Sequence, residues 1–176
     1  MLYNNNMQSP MTKISAETPN VFARHDHRAC KSGGMAEARK YCAANGLRLT
    51  RTRARVLEIL LESHKALGAY EILNRLQSEG LGSQPPVVYR ALEFLVENHF
   101  VHRLERLNAF TACIDPIGDH EAMFLICQDC LTVAESPQTP LFDVMNNAAS
   151  ALGFDVHARM VEIIGRCPSC QESASP

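Results

Sequence analysis

The chain has 176 residues, of which 46% are hydrophobic and 20% charged, which fits one large or two small folded domains and excludes disorder throughout. It contains no apolar run of the roughly 18–20 residues that cross a bilayer and opens without a secretory-signal pattern, so we expect a cytoplasmic protein without membrane contact. The net charge of −2 divides unevenly: residues 1–35 carry +2, residues 36–106 carry +3 and residues 107–176 carry −7. This asymmetry indicates two modules with different partners, the basic one a candidate to face phosphates.

Residues 1–34 lack a hydrophobic period and end in Ser32-Gly33-Gly34, which predicts a flexible tail. Helical spacing and capping residues then predict four helices. The first lies at residues 35–45, and the second follows a cap at Thr50 or Thr52. The third lies at residues 69–79, and the fourth follows Gln84-Pro85-Pro86. The fourth helix buries a stripe that runs from Val88 to Val96 and leaves Tyr89 and Arg90 outward.

The period changes after the fourth helix to that of two strands, residues 100–105 and 109–114, around Leu107-Asn108. Several short helices followed by a hairpin outline a winged helix-turn-helix domain over residues 35–114, in which the fourth helix enters the major groove of DNA. On this pattern alone, a small helical domain with a hairpin that binds nothing is equally compatible.

A second, smaller module is expected over residues 122–176, after a hinge at residues 115–121. Its pattern predicts strands at 124–126 and 131–133, an amphipathic helix at 140–152 and a longer strand at 156–164. In that strand the apolar residues shift from even-numbered to odd-numbered positions between Met160 and Val161. We therefore expect both faces of the strand to be buried, as at a subunit interface. The fold class is therefore α+β. A module this small usually needs a cross-link or a partner chain to be stable.

Two cysteine pairs can form such a cross-link. They are Cys127-x-x-Cys130 and Cys167-x-x-Cys170, separated by 36 residues. Each such turn offers two corners of the thiolate tetrahedron that zinc prefers, and one ion joining both ends of a small module contributes folding free energy. A redox dithiol is the competing hypothesis, although it expects one pair at the start of a helix in a thioredoxin-like unit. Iron-sulfur ligation is less favoured by this spacing.

A second metal site is predicted around the hairpin. If the turn is Leu107-Asn108, His102 and Cys113 are direct cross-strand partners with Cβ atoms about 4.5–5.5 Å apart. His120 follows the hinge, and folding back about Gln128-Asp129 brings Glu135 opposite residues 121–122. These four side chains would tie the two modules together with nitrogen, sulfur and oxygen donors suited to zinc.

Other possible sites are weaker. His25, His27 and Cys30 could hold a metal, but in a glycine-flanked tail adventitious binding is the simpler interpretation, and their role stays open. Neither a nucleophile motif nor a phosphate loop is present, so we expect no enzyme and no small-molecule substrate besides a metal ion. A zinc hydrolase would need an open ligand position and a general base.

The chain resembles the ferric uptake regulator family, and most closely its zinc uptake regulator branch, from about Met35 to Cys170. The resemblance rests on four segments: Leu47-Arg48-Leu49-Thr50, Pro85-Pro86-Val87-Val88-Tyr89-Arg90-Ala91-Leu92, Phe100-Val101-His102, and Phe124-Leu125-Ile126-Cys127 with the later cysteines. The chain departs from the family pattern at two positions. Arg51 stands where the family usually has proline, and Val87 stands where threonine is common. The thiolate Cys113 and the lone His120 favour zinc over the iron and peroxide branches.

The resemblance implies a winged-helix DNA-binding domain followed by an α/β dimerisation domain. It implies two zinc ions per subunit, a structural one at the four cysteines and a regulatory one at the mixed site. The function expected is a homodimeric zinc-responsive repressor of zinc-uptake genes that binds palindromic operator DNA, and an iron- or peroxide-responsive regulator or a zinc-thiolate redox protein is the alternative. The residues predicted to contact DNA are Arg90, Tyr89, Tyr70, Arg51 and Arg53, with Arg48 and Arg55 placed near the phosphate backbone.

Overall fold

The computed structural model of the chain describes residues 21–22, 27–81, 84–114, 116, 123–136 and 140–173. Within these ranges it has six helices and two three-stranded sheets, which confirms the predicted α+β class. None of the helices in these ranges is long and apolar enough to span a bilayer. Most of the predicted tail, and the predicted hinge apart from residue 116, lie outside the described residues, so the proposed domain limits stay predictions.

The first module combines four helices with a small antiparallel sheet. Its elements are α1 (His27–Ala44), α2 (Arg51–Leu61), β1 (Leu67–Gly68), α3 (Ala69–Ser78), α4 (Pro85–Glu97), β2 (Val101–Leu104) and β3 (Ala109–Ala112). The strands lie in the order β1-β3-β2, and the short β1 was not predicted. Val56, Ile59, Ile72 and Leu95 are fully buried in the core that the helices share.

The ends of these helices follow from their capping residues. Thr50, and not Thr52, caps α2, because its side chain accepts the Arg53 N–H at 3.4 Å. Pro85 opens α4, where its missing N–H leaves no hydrogen bond unmade. Gly80 follows α3 with φ +71°, a conformation that few side chains tolerate.

Helix α1 begins at His27, eight residues before the predicted start at Met35, so the predicted start of this helix is wrong. The glycines that suggested a break serve packing instead. A Cβ at Gly34 would lie 2.9 Å from Leu61 Cδ2, so glycine permits α1 to approach α2 closely. Lys31 on the same turn pairs with Glu62 at 3.3 Å.

The predicted hairpin register is also wrong. His102 pairs with Thr111 rather than Cys113, because the loop has four residues, 105–108, in which the Asn108 N–H donates to the Glu105 carbonyl. The shift is two residues, and side chains alternate between faces with a period of two. His102 and Cys113 therefore remain on one face of the hairpin as diagonal neighbours, while the Cys113 N–H bonds to the Phe100 carbonyl.

The second module is a mixed sheet with two helices. Its elements are β4 (Met123–Cys127), β5 (Val133–Ser136), α5 (Pro140–Ala151), β6 (Val161–Gly165) and α6 (Pro168–Glu172). In the order β5-β4-β6, β4 is antiparallel to β5 and parallel to β6. Glu135 pairs with Phe124 rather than with residues 121–122, β6 is shorter than predicted, and α6 was not predicted.

The two modules meet where the hairpin lies on this sheet. Leu104 and Ala109 of the hairpin form a buried apolar cluster with Phe124 and Ile126 of β4. Beside it, the loop before β1 adds to the second sheet, since the Ala66 N–H donates to the Leu131 carbonyl at 2.9 Å and the Val133 N–H to the His64 carbonyl at 2.7 Å. The first module is thus held on the second sheet by apolar packing of the hairpin and by backbone hydrogen bonds of the loop before β1.

Candidate metal centres

The four-cysteine cluster results from the parallel pairing of β4 with β6. Cys127 ends β4 and lies opposite Gly165, so Cys167 follows only two residues after that pair. Because the carboxyl ends of parallel strands meet at one edge, both Cys-x-x-Cys turns reach the same place. Cys130 completes the turn after β4, and Cys170 lies in α6.

The four sulfur atoms of this cluster, from Cys127, Cys130, Cys167 and Cys170, all lie within 4.8 Å of one another, and the Cys130 and Cys167 sulfurs are 3.8 Å apart. None of these four cysteines forms a disulfide. Burial opposes ionisation of Cys127, but backbone N–H groups of Cys167, Cys130 and Asp129 outweigh it and lower the pKa of the Cys127 thiol to about 6. Hydrogen bonds within the cluster raise the pKa of Cys170 to about 12.

These features fit the group that the sequence predicts. Four sulfur donors around one point match the tetrahedral set that zinc binds, and one of them is ionised near neutral pH. The Cys167 N–H donates to the Cys127 sulfur at 3.4 Å, the kind of outer contact that orients a thiolate ligand. A divalent cation at this point would offset the charge that four adjacent thiolates accumulate.

The mixed site forms where the base of the hairpin touches β5. Ligand atoms of His102, Cys113 and Glu135 all lie within 4.8 Å of one another. His102 Nε2 is 3.2 Å from Glu135 Oε1, and the Cys113 thiol donates to the same oxygen at 3.9 Å. The second oxygen, Oε2, accepts the Ile114 N–H at 3.0 Å, so Glu135 is held against the hairpin from the second module.

The imidazole is the strongest indication that this site takes a cation. His102 Nε2 is buried and, within the described part of the chain, has no hydrogen-bond partner, although it lies 3.2 Å from Glu135 Oε1. Buried polar atoms are rarely left unsatisfied, so this nitrogen, beside a thiol and a carboxylate, fits a zinc ligand. Phe124 fixes the ring from one side, with centroids 4.9 Å apart. The fourth predicted ligand, His120, lies outside the described residues.

The residues predicted to contact DNA divide into two groups. Tyr89 and Arg90 lie exposed in the first half of α4, Tyr70 is 66% exposed at the start of α3, and Arg51 is exposed at the start of α2. The guanidinium of Arg53 is instead engaged within its module, stacked 3.6 Å from the centre of the Phe94 ring and donating to the Arg48 carbonyl.

Arg55 is also engaged within the first module. It bonds both carboxylate oxygens of Glu79 at 2.6 Å and also contacts Glu58 and Glu62. These bonds raise the pKa of Arg55 above its usual value. Arg55 thus ties α2 to the end of α3, which leaves its charge largely neutralised.

Sequence reasoning did not identify three features near the mixed site. They are the ring of Phe124 against His102, the backbone contact of residues 64–66 with residues 131–133, and the carboxylate of Glu162 at the hairpin loop. The first two leave no pattern in the sequence. Glu162 did leave one, since it is a single carboxylate within an apolar strand, at the point where the parity switches.

Comparison with known proteins identifies the family. The sequence model of the ferric uptake regulator family matches residues 44–164. The zinc uptake regulation protein of Escherichia coli (strain K12) is 36% identical over 140 residues, covering 78% of this chain and 81% of that protein. The chain belongs to the ferric uptake regulator family.

Two solved structures of the family extend the similarity to the arrangement of both modules. A zinc uptake regulator complexed with zinc and DNA matches with a TM-score of 0.75 and 34% identity, covering 81% of this chain and 96% of that one. The crystal structure of holo XcZur matches with a TM-score of 0.72 and 38% identity, covering 81% and 99%. These matches confirm the family and the winged-helix fold expected from the sequence.

Proposed function

We propose that the chain is a zinc-responsive transcriptional repressor that binds palindromic operator DNA as a zinc-loaded homodimer and controls genes of zinc uptake. The observation that carries this proposal is the site of His102, Cys113 and Glu135, because it joins the hairpin of one module to the sheet of the other. A signal bound there changes how the DNA-reading helix is held. The identity to a zinc uptake regulation protein supports zinc as that signal.

The proposed assignment gives each subunit two zinc sites. Cys127, Cys130, Cys167 and Cys170 form the structural site, and His102, Cys113, His120 and Glu135 form the regulatory one. Bound at the second site, zinc supplies a divalent charge that imidazole, thiolate and carboxylate share. A thiolate among the donors favours zinc over iron, since soft ligands select soft or borderline metals.

The chain's own residues convert this occupancy into DNA binding. His102 and Cys113 are ligands on the hairpin, and Glu135 is a ligand on the sheet, so a bound ion joins the two. The hairpin follows directly after α4, which ends at Glu97. When the three side chains converge, α4 takes one orientation relative to the second module. In a dimer, two such helices would then meet half-sites about one helical turn apart. A coupling of about 1–3 kcal/mol changes DNA affinity roughly 5- to 150-fold.

The second module presents the surface for the dimer. Along α5 the predicted apolar stripe is exposed, with Val144 64% exposed, while Phe142 alone among the described side chains of this helix is buried. Phe154 and Ile163 add further exposed apolar area. An exposed apolar face of this kind is typical of a subunit interface, which supports the homodimer.

The DNA contacts assigned to Arg90, Tyr89, Tyr70 and Arg51 rest on their exposure at the starts of helices. Among the described residues, Arg90 donates only to the Pro86 carbonyl of its own helix, at 3.2 Å, a contact that it can exchange for a guanine edge. Arg53 stays a predicted DNA contact, and its guanidinium is also stacked on Phe94 within its own module.

The deciding experiment is an operator gel shift against buffered free zinc, with iron and manganese in parallel. Half-maximal binding at a lower free zinc concentration than free iron supports the proposal. A response to iron first, or loss of binding on peroxide treatment with zinc retained, assigns the chain to another branch of the family. Reversible oxidation of the cysteine pairs without release of zinc, and without DNA binding, favours the redox alternative.

A further inference from the structure

A second carboxylate lies in the same row of the sheet as Glu135. In the register of the second sheet, Phe124 of β4 pairs with Glu135 of β5 on one side and with Glu162 of β6 on the other. Side chains of paired residues on adjacent strands point to the same face. Both carboxylates therefore point to the face on which the hairpin lies, with the Phe124 ring between them.

Glu162 holds the end of the hairpin that Glu135 does not reach. Its Oε1 accepts the backbone N–H of Glu105 at 2.8 Å, and its Oε2 accepts that of Arg106 at 3.4 Å. Glu105 and Arg106 open the hairpin loop, whereas Glu135 accepts the N–H of Ile114 after the last hairpin strand. The two carboxylates thus bind the two ends of one hairpin.

The surroundings of Glu162 explain why this contact matters. The carboxylate is half-buried, and its face of the sheet carries the apolar cluster of Leu104, Ala109 and Phe124. A carboxylate in such a place needs donors, and N–H groups bound to a charged acceptor give hydrogen bonds stronger than those between neutral groups. All of these donors are backbone atoms, so the contact forms whenever the hairpin lies on the sheet, with or without a metal ion.

We propose that Glu162 is a positioning residue that holds the hairpin on the sheet before zinc binds and so sets the zinc concentration at which the repressor responds. The proposal rests on the proposed function. The mixed site is complete only when the hairpin is docked on the sheet. The apparent affinity for zinc is therefore lower when a smaller fraction of the metal-free protein has the hairpin docked. Glu162 raises that fraction, and saturating zinc restores docking without it.

The test compares Glu162→Ala and Glu162→Gln with the full-length wild type. Glutamine keeps one acceptor oxygen but loses the charge, so it should restore part of the effect. Asp155→Ala is the matched control, since it removes one charge from an exposed position of the same module. Each protein is titrated with zinc against a chromophoric chelator, and operator gel shifts are run at buffered zinc up to saturation.

For Glu162→Ala we expect the zinc midpoint of both assays to rise about 5-fold or more, the lower end of usual coupling between sites. Operator affinity at saturating zinc should stay that of the wild type, Glu162→Gln should fall between, and Asp155→Ala should not change. An unchanged midpoint in Glu162→Ala overturns the proposal. Operator binding by that variant without zinc also overturns it, because the docked pose would then be the inactive one.

Two further measurements separate this proposal from misfolding and from the proposed function. Retention of the tightly held zinc and of the wild-type unfolding temperature shows that Glu162→Ala is folded. If it is not, Glu162→Gln alone carries the test, and an unchanged midpoint there overturns the proposal. If the wild type binds no operator in response to zinc, the proposed function fails, whereas chelator competition still reports whether Glu162 raises zinc affinity.

Discussion

The two metal clusters differ in what they join. The four cysteines all belong to the second module and come together because two parallel strands end at the same edge. The mixed site takes His102 and Cys113 from the hairpin and Glu135 from the sheet, so it exists only while the two modules are docked.

This difference assigns the clusters different roles. A site within one small module contributes to the folding of that module, and its occupancy is as permanent as the fold. A site between two modules adds its binding free energy to a docking equilibrium, so its occupancy can vary while both modules stay folded. The same ion can therefore be structural in one place and a signal in the other.

The largest effect is expected from Cys167→Ser, which removes a buried ligand from the four-cysteine cluster. One zinc per subunit should be lost, and the second module should lose cooperative unfolding, because few of its described side chains are fully buried and could replace the ion. Metal analysis and calorimetry measure both effects. Unchanged zinc content and an unchanged unfolding temperature would refute the structural role of the cluster.

Cys113→Ala should affect the other cluster alone. We expect the zinc content to fall by one per subunit and zinc-dependent operator binding to be lost, with the unfolding of the second module preserved. Cys42→Ala is the matched control, since Cys42 is a buried cysteine that belongs to neither cluster. Metal analysis and gel shifts decide the outcome, and a Cys113→Ala protein that still responds to zinc contradicts the sensor assignment.

Arg90→Ala should leave both metal clusters intact but weaken sequence-specific binding to operator DNA. Loss of a bidentate base contact costs about 1–3 kcal/mol, which is roughly 5- to 150-fold in operator affinity for each half-site. Arg166→Ala, which removes an arginine that pairs with Asp129 in the second module, is the control. Fluorescence anisotropy on operator and scrambled DNA measures the change. Retained discrimination between the two DNAs would show that another residue reads the bases.

The smallest effect is expected from Glu62→Gln, which affects neither cluster. Burial opposes ionisation of Glu62, but hydrogen bonds from Arg55 and Lys31 outweigh it and lower the pKa of this carboxyl. Its folded-state pKa lies below the unfolded value of about 4.5, so its stabilisation is present above that pH and lost as pH falls through the folded value.

The Glu62→Gln protein should therefore unfold a few degrees below the wild type at pH 7, since pairs this exposed contribute at most about 1 kcal/mol. The difference should shrink as the pH falls from 7 through the folded-state pKa, because the wild-type carboxyl then takes up a proton and loses its charge. Thermal unfolding of both proteins, followed by circular dichroism over a series of pH values below 7, measures it. A difference that does not change with pH would assign the effect to packing rather than to charge.

Local signals in the sequence were sufficient for helices α2, α3 and α4 of the first module and for the two Cys-x-x-Cys turns. Thr50, Pro85 and Gly80 act on the residues beside them, and each Cys-x-x-Cys is a turn of four residues. The hairpin register was wrong by two residues because a four-residue loop and a two-residue turn have similar local patterns. Its consequence for the site was small, since an even shift keeps His102 and Cys113 on one face.

The sequence by itself determined the fold class, the family and the chemical types of the donors, because these depend on periodicity, spacing and side-chain identity. Only the tertiary structure decided that α1 extends back to His27, where Gly34 meets Leu61, and that Glu162 binds the hairpin loop. Both involve contacts between residues far apart along the chain. Such contacts depend on which faces the folded backbone brings together, and short-range patterns do not contain that information.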